Sequence, residues 1–268
     1  YQIDFSVRDE QALRLRLQDD AKIIPAPDLD YHFPALAPAG LSERPVIIGF
    51  GPCGLRAGLV LAQMGFRPII LERGKAVRER TQDTWGLWRK QVLNPESNVQ
   101  FGEGGAGTFS DGKLYSQISD KLHHGRKVLT EFVAAGAPEE ILYVSKPHIG
   151  TFRLVSMVER MRATIESLGG EIRFGHRVDD LLVEVDAAGV RQLRGVTLAN
   201  GEQLRADHVV LALGHSARDT FAMLHARGVH VEAKPFSLGF RIEHPQSLID
   251  QARFGPQAGH ALLGAADY

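Results

Sequence analysis

Val46-Ile-Ile-Gly49-Phe-Gly51-Pro-Cys53-Gly54 decides how the rest of this sequence is read. Three consecutive apolar residues make a short strand of the kind buried on both faces. The glycines at 49, 51 and 54 match G-x-G-x-x-G, and a helical apolar period follows over Leu55–Met64. In that context each glycine has a job. Gly49 permits the tight strand-to-helix turn, Gly51 leaves room for a pyrophosphate against the backbone, and Gly54 lets the helix lie close to the sheet. Pro52 sits where a missing N–H costs least, with Cys53 inside the same turn. The free N–H groups and positive dipole end of the helix would then face a diphosphate.

Pro68–Leu71 is a second buried strand, which completes a β-α-β unit. Glu72 stands at its end, where a carboxylate accepts hydrogen bonds from both ribose hydroxyls of an adenosine. The same charge would repel a 2′-phosphate, although Arg73 beside it works in the opposite sense. These residues predict adenine dinucleotide binding.

Around this unit the patterns alternate. A short helix is expected over residues 8–20, Lys75–Leu93 is a charged helix, and Asn94–Lys113 is a Gly-rich loop. Asp120–Ala135 and Thr151–Leu168 read as amphipathic helices, with a short strand at Ile141–Val144 between them. Strands follow at Glu171–Phe174, Val178–Val185 and Arg191–Leu198, with turns at Ala188-Gly189 and Asn200-Gly201. Val209–Leu213 is again a buried strand, Thr220–Ala226 a helix, and Val229–Val231 and Leu238–Ile242 are expected strands. Tyr1, Ile3, Phe5 and Val7 alternate with polar residues like a half-buried strand, and Tyr268 follows no polar tail, so the sequence reads as a piece of a longer chain. The fold class expected is α/β: a Rossmann-like dinucleotide-binding domain with inserted antiparallel strands. Residues 25–44 would be a Pro-rich linker leading into the nucleotide domain of residues 45–268.

Composition narrows the function. Of 268 residues, 44% are hydrophobic and 24% charged, which is the make-up of an ordinary folded protein. Lys and Arg total 31 against 32 Asp and Glu, for a net charge of −1. Nothing in that balance suggests a nucleic-acid or membrane-surface partner. A single cysteine excludes a redox-active pair or an iron–sulfur cluster built by this sequence alone. No apolar run reaches the length of a membrane helix, and a cytoplasmic setting is expected. His123-His124 is a poor metal pair, because neighbours on a helix point apart, so no metal site is expected.

Three further strings carry a resemblance: Phe101-Gly-Glu-Gly-Gly-Ala-Gly-Thr-Phe-Ser110-Asp-Gly-Lys113, Lys146-Pro-His-Ile-Gly-Thr151, and Lys234-Pro-Phe-Ser-Leu-Gly-Phe-Arg-Ile-Glu-His-Pro245. With the Gly49 turn they resemble the glutathione-reductase-like flavoproteins. More narrowly, they resemble an uncharacterised family of bacterial FAD-dependent dehydrogenases with a small ferredoxin-like domain in front. The resemblance implies FAD as cofactor, residues 1–24 as the remnant of a small α+β domain, and residues 45–268 as an FAD/NAD(P)-binding Rossmann-like domain with part of a substrate region. Gly49, Gly51 and Gly54, with Pro52 and Cys53 of the same turn, would hold the cofactor's diphosphate, and Glu72, with Arg73 beside it, would border its ribose. Gly104, Gly105, Ala106, Gly107 and Thr108 would approach the flavin side, and Val178 would meet the adenine through its backbone. Ala212 and Gly214 would let the chain pass close to the nucleotide. Members of that family continue well beyond the length seen here, and their last segment returns to the flavin.

The flavin would carry the redox chemistry while the protein positions it. Lys113 is a candidate for stabilising the reduced ring, His148 for proton transfer, and Arg241 for binding an anionic substrate. A bound dinucleotide would cover Cys53, which therefore reads as packing against it rather than as a reactive thiol. The expected activity is an FAD-dependent dehydrogenase or reductase acting on a small molecule, with NADH or NADPH as candidate electron donors. An RNA-modifying flavoprotein and a non-catalytic dinucleotide sensor are the alternatives, and the neutral charge weighs against the first.

Overall fold

A computed structural model describes residues 5–18, 20, 22–114, 118–144, 146–236, 238–240 and 242–266. At its centre β1 (Val46–Ile48) is buried along its whole length, as an unbroken apolar run requires. It pairs in parallel with β2 (Ile69–Glu72) on one side and β7 (Val209–Leu211) on the other, and β3 (Glu171–Phe174) continues the sheet beyond β2. The order β3-β2-β1-β7 is that of a wound α/β sheet.

Strand residues alternate between two cores, because successive side chains leave opposite faces. Ile47 and Ile70 meet α2 (Pro52–Gln63) and α5 (Thr151–Ser167) through Leu55, Leu59, Met157, Met161 and Ile165. Val46, Ile48, Ile69 and Leu71 face the other way, onto Val178, Val196 and Leu198. Those three belong to an antiparallel sheet of β4 (Val178–Val185), β5 (Arg191–Leu198) and β6 (Gln203–Arg205). The result is three layers, with helices and the inserted strands on opposite faces of the parallel sheet.

The turns were placed by residue type. Asp186 accepts from the amides of Ala188 and Val190 between β4 and β5, and Asn200 accepts from Glu202 before β6. The remaining helices are α1 (Glu10–Arg16), α3 (Val77–Lys90), α4 (His124–Ala134), α6 (Arg218–Ala226) and α7 (Gln246–Phe254). The chain divides into two compact units, Tyr1–Val229 and His230–Tyr268, and α7 belongs to the second. Residues 25–44 carry no regular structure yet are anchored. The Ala37 amide donates to Met64, Lys127 lies over the Tyr31 and Phe33 rings, and Arg44 pairs with Glu171 at 2.7 Å. None of the helices among the described residues is long and apolar enough to cross a membrane.

Several expected elements differ. Glu139–Leu142 is a 3-10 turn, not a strand: Ile141 is its one buried side chain, Tyr143 and Val144 are exposed, and no strand among the described residues pairs with it. Val229–Val231 and the described part of 238–242 are not strands either, since Val231, Leu238, Phe240 and Ile242 lie exposed with no partner strand among the described residues. The expected strand at Tyr1–Val7 falls partly outside the described residues, and Phe5–Val7 has no regular structure.

Candidate functional site

The β1–α2 turn opens onto a cleft of about 290 Å³ in the first unit. Gly49 has φ +100°, and a Cβ there would stand 2.4 Å from the Ala212 carbonyl oxygen, so the turn and the end of β7 touch backbone to backbone. A Cβ at Gly54 would fall 1.8 Å from the Gly49 carbonyl. Gly51 is different. The nearest atom to a Cβ there is the Cα of Gly105 at 3.8 Å, so nothing in the protein demands glycine. Its missing side chain leaves space in the cleft itself. α2 starts at Pro52, earlier than its apolar period suggested, and has no side-chain cap, so its first amides face the cleft rather than a neighbour.

Glu72 lines the same cleft at 4% exposure. Its Oε2 accepts from the Phe50 amide at 2.7 Å and its Oε1 from the Gly74 amide at 2.8 Å. Each oxygen keeps a second lone pair for another donor.

The Gly-rich segment forms the facing wall, with Phe101, Gly102, Gly105, Ala106 and Gly107 on the cleft surface. Gly104 and Thr108 stand behind it. Arg80 of α3 organises this wall from a wholly buried position. Its guanidinium donates to the carbonyls of Asn98, Val99, Glu103 and Gly105 and to the Thr108 hydroxyl, and it stacks over Phe109. Burial lowers its pKa to about 10, so it stays protonated at neutral pH. An Arg in a charged helix reads as solvated, and nothing local in the sequence marks it.

Glu103 is equally buried. It accepts from the Val77 amide at 2.8 Å, has Arg162 at 3.4 Å, and leaves Oε1 without a partner. Burial raises its pKa above the usual carboxylate value of 4.5, outweighing the Val77 amide and Arg162, which act to lower it. The folded state therefore holds the Glu103 proton more tightly than the unfolded state does. That contribution to stability is present at low pH and fades as pH rises from 4.5 through the raised value. Glu103→Gln removes the titration but keeps the shape. The thermal midpoint of the native protein minus that of the variant should fall across this window, and a constant difference would refute the assignment.

Twelve residues named as cofactor contacts line the cleft together: Gly49, Gly51, Pro52, Cys53, Glu72, Arg73, Gly105, Ala106, Gly107, Val178, Ala212 and Gly214. Gly54, Gly104 and Thr108 support it from behind. Cys53 is exposed and lines the cleft, while Leu55 and Leu59 carry the buried face of α2. Lys113 and His148 are brought together by an isolated antiparallel bridge, and His148 Nδ1 lies 3.0 Å from Asp111. Neither is among the cleft residues. Arg241 lies outside the described residues. His123 precedes α4 in a left-handed conformation and His124 begins it, and no cluster of metal-binding groups occurs among the described residues. Gln100, His176, Arg177 and Ser216 also line the cleft. Sequence reading missed them because only the fold brings the ends of β3, β4 and β7 together.

A family model described as "Flavin containing amine oxidoreductase" matches residues 96–239, and one described as "FAD-dependent protein, C-terminal domain-like" matches residues 235–268. An uncharacterised protein of Clostridium beijerinckii is 45% identical over 228 residues, covering 85% of this chain and 41% of that protein. The chain thus spans less than half the length of that relative. Among solved structures, Thermovibrio ammonificans THI4 aligns over 70% of this chain and 62% of its own, at 20% identity and a TM-score of 0.47. The 3-ketosteroid-delta4-(5alpha)-dehydrogenase from Rhodococcus jostii RHA1 aligns over 72% and 50%, at 15% identity and a TM-score of 0.40. With more than half its length matched by the first of these models, the chain belongs to the flavin-containing amine oxidoreductase family.

Proposed function

We propose that the protein is an FAD-dependent oxidoreductase acting on a small organic substrate, and that this chain supplies the site for the ADP half of the cofactor. The observation that carries this reading is the Gly49–Gly51–Gly54 turn opening on a cleft that ends at Glu72, in a chain of a flavin-containing family. The residues present fit the group. The uncapped start of α2 offers amides to a diphosphate, Gly51 leaves the space it needs, and Glu72 keeps lone pairs for ribose hydroxyls. The backbone at Val178 and the small residues Ala212 and Gly214 border the same cleft and leave room for an adenine and the chain of the cofactor. The Gly105–Gly107 stretch would continue the wall toward the flavin. When bound, FAD would accept electrons from the substrate or from NADH or NADPH. The protein's own share is to bind the dinucleotide, orient it and keep water from it.

The visible spectrum of the full-length protein, followed by identification of the nucleotide released on denaturation, tests the proposal. Flavin absorbance and released FAD support it. Cys53 gives a second readout, because its exposed thiol sits at the turn that the diphosphate would cover. A thiol reagent should modify the flavin-stripped protein readily and the FAD-loaded protein slowly. A colourless protein whose Cys53 reactivity ignores added FAD would defeat the reading.

A further inference from the structure

Two arginines line the cleft, Arg73 next to Glu72 and Arg177 next to Val178. Arginines beside the ribose of a dinucleotide are the usual way to receive a 2′-phosphate. Both are already engaged. Arg73 donates from Nε to Glu96 at 2.8 Å and from both Nη atoms to Asp219 at 3.0 and 2.8 Å, and Phe101 covers one face of its guanidinium at 4.3 Å. Arg177 donates to both oxygens of Asp179 at 2.7 and 3.1 Å, and from Nη1 to Glu96 at 2.8 Å. Glu96 is thus shared, one oxygen to each arginine, and each arginine has its own aspartate fork. The acids come from three separate segments: the start of the Gly-rich stretch, β4 and α6. The arginines hold both Glu96 and Asp219 below their ordinary pKa values. Three carboxylates, Glu96, Asp179 and Asp219, thus surround these two arginines.

We infer that Glu96, Asp179 and Asp219 set the nucleotide specificity of the cleft by sequestering Arg73 and Arg177, so that it takes an adenosine with free ribose hydroxyls and rejects a 2′-phosphorylated one. The inference rests on the flavin-site reading and adds to it. Arg73 alone, read from the sequence, points toward phosphate. Held by Glu96 and Asp219, it presents a neutralised surface instead. A doubly charged phosphate would meet a net negative rim and guanidinium groups with most of their donors taken.

The test is displacement of FAD from the full-length protein, read by flavin fluorescence, with ADP and with 2′-phospho-ADP as competitors. The phosphorylated nucleotide should compete at least about tenfold more weakly in the native protein, because like-charge juxtaposition is costly. In Glu96→Gln and Asp219→Asn, which keep side-chain shape, that ratio should fall toward one as Arg73 regains free donors. A merely loosened cleft would weaken both competitors together and leave the ratio unchanged. Equal competition in the native protein overturns the inference, as does a ratio that neither variant moves. Absence of FAD binding altogether would instead remove the flavin-site reading on which it stands, and the two failures are told apart by whether FAD binds.

Discussion

Arg80→Leu is expected to lower stability by about 3–5 kcal/mol, the range for removing one side of a buried charged network. The native side chain has no exposure and makes five hydrogen bonds, four of them to backbone carbonyls at 2.8 Å or closer. Leucine fills part of the volume but leaves the carbonyls of Asn98, Val99, Glu103 and Gly105 without their donor, inside the protein. Each orphaned acceptor costs about 1–3 kcal/mol unless the loop rearranges to meet water. Rearrangement is the less costly route, and it would move the wall that carries Gly105, Ala106 and Gly107. Flavin retention should therefore fall together with stability. For a domain of this size the thermal midpoint should drop by roughly 10 °C, at about 2–4 °C per kcal/mol. Arg80→Lys should be intermediate, since an ammonium has three donors and cannot span five acceptors. A leucine variant with the native midpoint would show that the hydrogen bonds contribute nothing net.

The contrast between Arg80 and Glu72 explains how far the sequence could be read. Glu72's place on the cleft was legible because it follows from position: it stands at the end of the strand after a G-x-G-x-x-G turn, and the fold sets that strand end beside the turn. The β1–α2–β2 unit and the β4–β5 hairpin were legible for the same reason, each being decided by residues within one or two turns of chain. Arg80 has the same charge and the same helix as Arg78, yet Arg78 pairs with Glu159 at the surface and Arg80 is buried. Only contacts eighteen to twenty-eight residues away separate the two. The same holds for Glu96 and Asp219, which meet at Arg73 from distant segments. The strand expected at Ile141–Val144 fails for a related reason. Apolar character marks burial, and one buried side chain is enough for Ile141 to sit in a 3-10 turn where no sheet edge is available.

The Gly51 and Gly54 positions make the sharpest test of what the turn is for. Gly54→Ala should cost more than about 3 kcal/mol, beyond the ordinary price of an added core methyl. Its Cβ would lie 1.8 Å from the Gly49 carbonyl oxygen and 2.8 Å from the carbonyl carbon, both backbone atoms of the turn. Neither can rotate aside, so α2 must move off the sheet or the turn must open. Gly51→Ala meets nothing closer than 3.8 Å, and its φ of −73° is open to any residue. Its folding should be unchanged to within about 0.5 kcal/mol. The methyl would instead stand in the cleft, where the proposed diphosphate would approach the backbone. One surplus methyl in a close fit costs about 1–3 kcal/mol, which corresponds to FAD affinity about 5- to 150-fold weaker. Thermal melts and FAD titrations of the two variants separate the roles. Gly54→Ala should fail the first measurement and Gly51→Ala only the second. If Gly51→Ala binds FAD as tightly as the native protein, the diphosphate does not lie against this turn, and the space beside Gly51 must serve another ligand.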